Sequence, residues 1–226
     1  MKKFLTLMIS LVLCLSFGLM LVACNNNPDE TNPPVTDGET GAPGDSDNNN
    51  PSSPEQPTEP ANGNILVAYF SWSASGNTER MATYIAEQIG AFVYEIEPLV
   101  PYPTEYTPTT EVAAKEKEEN ARPEIKNPID VSNYDHIFVG FPIWWYDLPM
   151  PVWTFLEEYD LSGKTIIPFF SHNGSSSGAS SISTIKRLCP DSTVVNDYLS
   201  VRGSSVSSAE SQVTSWINDL GIKTED

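Results

Sequence analysis

Hydroxyl and amide side chains follow directly after the first apolar segment beyond residue 62. Residues 65–70 have the length and residue types of a buried strand, and a helical apolar pattern begins at Asn77. Between them the chain is Ser-Trp-Ser-Ala-Ser-Gly. A strand that enters a helix through such a turn directs backbone N–H groups and the positive end of the helix dipole at an anion. The pattern predicts a phosphate site, although a plain Ser-rich turn with Asn77 or Thr78 as the N-cap has the same spacing.

Two further loops contain side chains that suit a flat ligand. After the predicted strand at 136–141 the chain is Pro-Ile-Trp-Trp-Tyr-Asp over 142–147. Aromatic rings in a loop expose apolar area unless they stack on a ligand or cover the end of the sheet, and both interpretations stay open here. After the predicted strand at 165–170 the chain is Ser-His-Asn-Gly. His172 could hydrogen-bond a ligand, or equally the nearby backbone.

The elements that position these loops alternate between strand and helix. Apolar runs and helical patterns predict strands at 65–70, 92–97, 136–141, 165–170 and 193–201, and helices at 77–89, 111–121, 151–159, 179–188 and 207–220. Five strands that alternate with helices predict a doubly wound α/β fold with a parallel sheet covered on both faces. In such a sheet, ligands bind beyond the carboxyl ends of the strands, where all three loops lie.

The same loops resemble those of the flavodoxin family. Residues 73–78, Ser-Ala-Ser-Gly-Asn-Thr, are similar to its phosphate loop [ST]-x-[ST]-G-N-T, and Trp72 and Glu79 also fit. Gly-Phe-Pro-Ile-Trp-Trp at 140–145 and Gly-Lys-Thr-Ile-Ile-Pro-Phe at 163–169 resemble one flavodoxin-like subfamily. Ala74 stands where many flavodoxins have Gly, so its φ must be negative. Asn173 and Ser176 replace glycines of the subfamily's T-H-G-G-S-G-x-G, which puts that loop's flavin contacts in doubt.

The resemblance implies the five-stranded sheet order 2-1-3-4-5 and the cofactor FMN. Its 5′-phosphate would be held by Ser73, Ser75, Asn77 and Thr78, and its ring would stack on the aromatic loop. No catalytic or metal-ligating residue is assigned. The residues expected to contact FMN are Ser71, Trp72, Ser73, Ala74, Ser75, Gly76, Asn77, Thr78, Pro142, Ile143, Trp144, Trp145, Tyr146, Asp147, Ser171, His172, Asn173, Gly174 and Gly178.

The start of the chain predicts secretion and lipidation. Lys2 and Lys3 precede an uncharged apolar stretch that ends in Leu-Val-Ala-Cys, a pattern similar to a bacterial lipobox. We expect residues 1–23 to be a signal peptide and Cys24 to be acylated, which anchors the protein on the extracytoplasmic face of the cell membrane. An uncleaved membrane-spanning anchor is the alternative. Residues 24–62, rich in Asn, Pro and acidic residues, predict a disordered linker before a domain at 63–226.

The chain is strongly acidic, with 12 basic and 30 acidic residues and a formal net charge of −18. Without Lys2 and Lys3 the charge is −20, and without the eight acidic residues of 24–62 it is −12 over 63–226. This charge disfavours nucleic acid and direct contact with anionic lipid, and favours a basic partner or a small uncharged or cationic substrate. Two histidines and Cys189, the one cysteine left after Cys14 and Cys24, are too few for a His/Cys metal site.

Three classes of function stay open on this sequence. An electron carrier would pass electrons through FMN from a donor to an acceptor. An FMN-dependent NAD(P)H or quinone oxidoreductase needs open space over one flavin face. A non-redox binding module would have lost FMN; the intact hydroxyl loop argues against it, and the altered loop at 173–176 is in its favour. We expect an electron-transfer protein whose donor is a membrane quinol or another tethered flavoprotein.

Overall fold

The computed structural model describes residues 64–174 and 176–222. The predicted signal peptide, the linker and the acylation site Cys24 lie outside these residues, so these remain predictions. Within the described residues, no helix combines the length and the apolar character needed to cross a membrane.

Strands and helices alternate along the described chain. The strands are β1 (Ile65–Tyr69), β2 (Phe92–Glu95), β3 (His136–Pro142), β4 (Thr165–His172), β5 (Thr193–Val194) and β6 (Leu199–Arg202). The helices are α1 (Asn77–Ile89), α2 (Tyr106–Glu119), α3 (Met150–Glu158), α4 (Ala179–Leu188) and α5 (Glu210–Leu220), and a 3₁₀ helix (Gly203–Ser208) precedes α5. Every predicted helix and the first four predicted strands are therefore present with changes at their ends, and the predicted strand at 193–201 is present as two strands.

The strands form one parallel sheet in the order β2-β1-β3-β4-β5, which confirms the predicted order and the doubly wound α/β fold. Val67 at the centre of β1 pairs with Val93 on one side and Phe138 on the other. The predicted fifth strand is divided in two, since β5 and β6 pair with successive parts of β4. Asn196 and Asp197 lie between them, and the Asp197 carbonyl accepts a hydrogen bond from the Trp216 indole at 2.9 Å.

Alternating side chains of the central strands enter two apolar cores, one on each face of the sheet. Leu66, Ala68 and Phe70 belong to the core that α3 and α4 cover, with Val152, Phe155, Ile182 and Ile185. Ile65, Val67 and Tyr69 belong to the core under α1 and α5, with Met81, Ile85, Val213 and Trp216. Burial on both faces explains why β1 is an unbroken apolar run and does not alternate with polar residues.

The segment between β2 and β3 differs most from its prediction. Shortly after β2 the segment closes on itself, where the Leu99 N–H donates to the Glu124 carbonyl at 2.7 Å. The helix begins at Tyr106 and not at residue 111. Its first turn is fixed by the Thr109 hydroxyl, which donates to the Pro103 carbonyl at 2.6 Å. Only Thr109 and Ala113 of α2 are buried, so apolar periodicity could not locate its start.

Candidate functional site

A cavity of about 530 Å³ lies at the carboxyl edge of the sheet. The loops that follow β1, β3 and β4 form most of its wall, as expected for a parallel sheet. Most of the predicted contact residues line it: Ser71, Trp72, Ser73, Ser75, Asn77, Thr78, Pro142, Ile143, Trp144, Trp145, Tyr146, Ser171, His172 and Asn173. Ala74, Gly76, Asp147, Gly174 and Gly178 do not line it. This volume lies within the usual range for small-molecule and cofactor sites.

One end of the cavity is polar and contains the N-terminus of α1. Gly76 precedes the helix with a φ of 56°, and no side chain caps the helix there. Its N–H donates to the Ser73 carbonyl at 2.8 Å, which closes the turn. The hydroxyl oxygens of Ser73 and Ser75 lie 2.9 Å apart. Because the first backbone N–H groups of a helix lack intrahelical acceptors, this end of the cavity can bind an anion.

Ala74 and Gly76 contribute to this turn through the backbone. Ala74 is not among the described non-glycine residues with positive φ, as the sequence required. Gly76 is in the left-handed region, where a side chain would be strained, and a Cβ there would lie 2.9 Å from the Glu79 carboxylate. Ala74 and Gly76 therefore contribute the backbone conformation of the loop that contains the Ser73 and Ser75 hydroxyls.

The polar end is held together by contacts between loops. The Thr78 and Ser171 side chains are buried, and their hydroxyl oxygens lie 3.2 Å apart, which joins the start of α1 to the end of β4. Gly203, after β6, also lines the cavity and was not predicted. A Cβ at this position would lie 2.8 Å from the Asn77 amide nitrogen, so glycine permits the close approach.

The aromatic loop is a tight two-residue turn. Trp144 and Asp147 exchange backbone hydrogen bonds of 3.0 and 2.8 Å. Between them, Trp145 and Tyr146 have φ values of 46° and 65°, the conformation of a type I′ turn. Asn and Gly normally occupy such positions, and positive φ in bulky residues marks a strained backbone. Trp145 and Tyr146 are 48% and 64% exposed and line the cavity.

The two adjacent tryptophans have different surroundings. The Trp144 ring makes edge contacts with Phe70, Trp72 and Tyr102, at centroid distances of 5.3, 6.0 and 5.2 Å. The Trp72 indole also donates to the Pro103 carbonyl at 2.8 Å. Trp144 thus covers the end of the sheet, whereas Trp145 remains half-exposed and available to stack.

Asp147 and Gly178 support the loops from behind the cavity wall. The buried Asp147 carboxylate accepts a hydrogen bond from the Leu148 N–H at 2.8 Å and another from the Thr184 hydroxyl at 3.1 Å. Gly178 precedes α4 with a φ of 76°, and a Cβ there would lie 2.1 Å from the Phe170 ring. Their roles are structural in this geometry, since neither reaches the cavity.

His172 lines the cavity and hydrogen-bonds the backbone of its own loop. Burial, and secondarily the charge of Arg202, lower the pKa of His172 below its ordinary value. Its Nδ1 accepts the Gly174 N–H at 2.8 Å, so the proton is on Nε2. The Asn173 carbonyl accepts a hydrogen bond from Arg202 at 3.2 Å. Gly174 has a φ of 94°, and a Cβ there would overlap Arg202, so this loop is packed against β6.

Helix α2 supplies a wall that the sequence did not predict. Tyr106, Thr109, Thr110 and Ala113 line the cavity. Thr109, Thr110 and Ala113 follow Tyr106 by three, four and seven residues, which places all four on one helix face. This spacing is the feature of the sequence that could have predicted the wall. It was missed because the predicted helix began at residue 111. Tyr106 is 71% exposed, so it adds a third aromatic side chain at the mouth.

The cavity wall has no cationic side chain among the residues described as lining it. The described residues also contain no group of three or more His, Cys, Asp and Glu side chains arranged to hold a metal ion. What the arrangement offers is an anion site at one end, a partly apolar middle and exposed aromatic rings at the other end. This suits a long ligand with a phosphate group and a flat ring.

Comparisons with known proteins agree with this geometry. A flavodoxin family model matches residues 64–220. The chain is similar to a crystal structure provisionally described as a flavoprotein from Bacteroides uniformis, with 31% identity and a TM-score of 0.58 over 69% of this chain and 97% of that one. It is also similar to a flavoprotein in complex with FMN from Lactobacillus acidophilus, with 25% identity and a TM-score of 0.52 over 66% and 98%. None of the curated proteins compared with the chain matches it.

Proposed function

The chain belongs to the flavodoxin family, and we propose that it binds FMN in the cavity at the carboxyl edge of the sheet and transfers electrons. One observation carries the proposal: an uncapped helix N-terminus beside paired hydroxyls and an exposed aromatic turn line a single cavity. The Lactobacillus acidophilus relative, described in complex with FMN, supports the same cofactor.

The residues present fit the cofactor at both ends. The N–H groups at the start of α1, with Ser73, Ser75 and Asn77, would hold the 5′-phosphate by charge-assisted hydrogen bonds. Thr78 would support the phosphate site indirectly, because its hydroxyl already pairs with the Ser171 hydroxyl. Trp145 and Tyr146 would cover the flavin ring. Bound FMN supplies one- and two-electron transfer chemistry.

The charge of the cavity wall and of the whole domain indicates which kind of electron donor fits. None of the described residues that line the cavity is Lys or Arg, the side chains that would bind the diphosphate of a nicotinamide dinucleotide, and the domain is acidic overall. A neutral membrane quinol, or another tethered flavoprotein with a basic docking surface, is therefore the donor we propose. The exposed Tyr106, Trp145 and Tyr146 favour a second candidate function, an FMN-dependent NAD(P)H or quinone oxidoreductase, because an open aromatic mouth could admit a small acceptor.

Flavin titration of the full-length protein tests cofactor binding. Quenching of FMN fluorescence by the wild type is expected, and the double variant Ser73→Ala/Ser75→Ala should bind at least about tenfold more weakly, because each lost hydrogen bond to a charged phosphate contributes about 1–3 kcal/mol. Ser211→Ala, an exposed serine on α5, is the matched control. Equal affinity of the double variant and the control would refute the phosphate assignment. Bleaching of the bound flavin by NADH alone would favour the enzyme over the carrier.

We also propose attachment to the membrane through acylated Cys24, on the sequence pattern alone. In cell fractions, Cys24→Ala should leave a protein without lipid, detectable by the mass of its N-terminal peptide, whereas Cys14→Ala should still be acylated at Cys24. An unmodified Cys24 in wild-type protein that still begins with its apolar segment would support the uncleaved anchor instead.

A further inference from the structure

The turn at residues 144–147 is strained, and something must hold it. Trp145 and Tyr146 are successive aromatic residues with positive φ. Such backbone strain persists only where the surroundings over-determine the conformation. The reciprocal hydrogen bonds between Trp144 and Asp147 are one constraint. The Trp144 ring contacts and the buried Asp147 carboxylate are others. These act at the base of the turn and leave its tip, Trp145–Tyr146, to be fixed separately.

One contact reaches the tip. The Lys117 ammonium donates to the Trp145 carbonyl at 2.6 Å, across 28 residues of sequence. Lys117 lies one helical turn beyond Ala113, so it continues the face of α2 that lines the cavity. The ammonium is a charged donor, and charged donors form stronger hydrogen bonds than neutral ones. The peptide group that it binds joins the two residues with positive φ.

We propose that Lys117 is a positioning residue of the cavity, which holds the strained aromatic tip against α2 and so sets where Trp145 and Tyr146 lie over the mouth. The segment between β2 and β3 then contributes to the site in two ways. Helix α2 forms a wall of the cavity, and Lys117 fixes the aromatic turn at the mouth. The contact between Lys117 and the turn does not depend on any ligand. The effect of this contact on flavin binding rests on the proposed function.

The neighbouring Lys115 supplies a matched control. It lies on the same helix, but its ammonium pairs with Glu119 at 3.8 Å, and both side chains are largely exposed. Lys115→Met and Lys117→Met remove the same charge from α2 and add the same side chain. Only Lys117→Met removes a hydrogen bond from the turn, and Lys117→Arg restores a charged donor at that position.

Hydrogen exchange of the cofactor-free, full-length protein tests the hold on the turn. Lys117→Met should exchange the amides of Trp144 and Asp147 about fivefold faster, which corresponds to about 1 kcal/mol. Lys115→Met should leave both rates unchanged, and Lys117→Arg should return them toward wild type. Equal rates in Lys117→Met and Lys115→Met would overturn the proposal, and so would an increase that spreads over the whole domain.

FMN titration of the same variants then tests what the turn does for the ligand. Lys117→Met should bind FMN more weakly and shift its midpoint potential, while Lys115→Met should match wild type. Faster exchange with unchanged affinity and potential would overturn the role at the cavity. Failure of the wild type to bind FMN would count against the proposed function, and the exchange result would still decide whether Lys117 holds the turn.

Discussion

Replacement of Tyr146 by alanine and by glycine tests the left-handed backbone of the aromatic turn. Tyr146 has a φ of 65° and a side chain that is 64% exposed. Both replacements remove the same ring and lose the same partial burial. The difference between them therefore isolates the backbone, because alanine keeps a Cβ in the left-handed region and glycine does not.

The expected difference follows from two opposing effects. A Cβ in the left-handed region costs about 1–2 kcal/mol. Glycine also gives the unfolded chain more conformational freedom, which lowers the stability of the glycine variant by about 0.4–1 kcal/mol. Tyr146→Gly should therefore be more stable than Tyr146→Ala by about 0.5–1 kcal/mol, the reverse of the order at an ordinary site. In a chain of this length, that corresponds to a rise of about 1–4 °C in the midpoint of thermal unfolding.

Thermal and urea unfolding of the cofactor-free, full-length protein would measure the two variants side by side. Val100 provides the control, since it is 79% exposed and is not among the described residues with positive φ. There the alanine variant should be the more stable one. If alanine is at least as stable as glycine at position 146 too, the turn is not left-handed and the argument about its strain fails.

Three further perturbations have defined outcomes. Gly178→Ala should lower the free energy of unfolding by about 2–4 kcal/mol, because its Cβ would overlap the Phe170 ring, whereas Gly163→Ala, with a φ of 75° and open space, should cost only about 1 kcal/mol in the same urea titration. The pKa of His172 is lower in the folded protein than its ordinary value of 6.5, so the unfolded chain binds more protons and stability should fall as the pH drops below 6.5. His172→Gln should flatten that fall, and an unchanged slope of urea midpoint against pH would contradict it. Burial raises the pKa of the Cys189 thiol to about 11, so peptide mass mapping should find it unalkylated by iodoacetamide in the native protein and modified after unfolding in urea. Equal labelling in both states would show that the thiol is accessible.

Sequence periodicity predicted the doubly wound α/β class, and the family resemblance predicted the order of the strands. Apolar runs of strand length alternate with helical patterns, and the parallel order β2-β1-β3-β4-β5 agrees with the family motif in residues 73–78. The three loops meet in one cavity because the carboxyl ends of parallel strands share one edge of the sheet. Local patterns failed at two places: the fifth strand is interrupted at Asn196 and Asp197, and α2 begins at Tyr106 and not at residue 111.

Side-chain roles within those loops required the tertiary structure. Trp144 and Trp145 are the same residue type at adjacent positions. Only the tertiary structure shows that Trp144 packs against Phe70 and Tyr102 at the edge of the core, whereas Trp145 is left half-exposed at the cavity mouth. Asp147 is a polar residue in the predicted loop, yet its carboxylate is buried, accepts hydrogen bonds from Leu148 and Thr184, and does not line the cavity.

The sequence by itself thus predicted the parallel sheet, the Ser-rich turn that leads into α1 and the sheet edge at which the three loops meet, because local periodicity and backbone chemistry fix these features. Only the tertiary structure decided that α2 forms a wall and that Lys117 reaches the Trp145 carbonyl. The physical reason is that α2 buries only Thr109 and Ala113, so apolar periodicity predicted a helix from residue 111 and missed the first turn, which lines the cavity. Its position depends on hydrogen bonds between residues distant in sequence, such as Trp72 with Pro103.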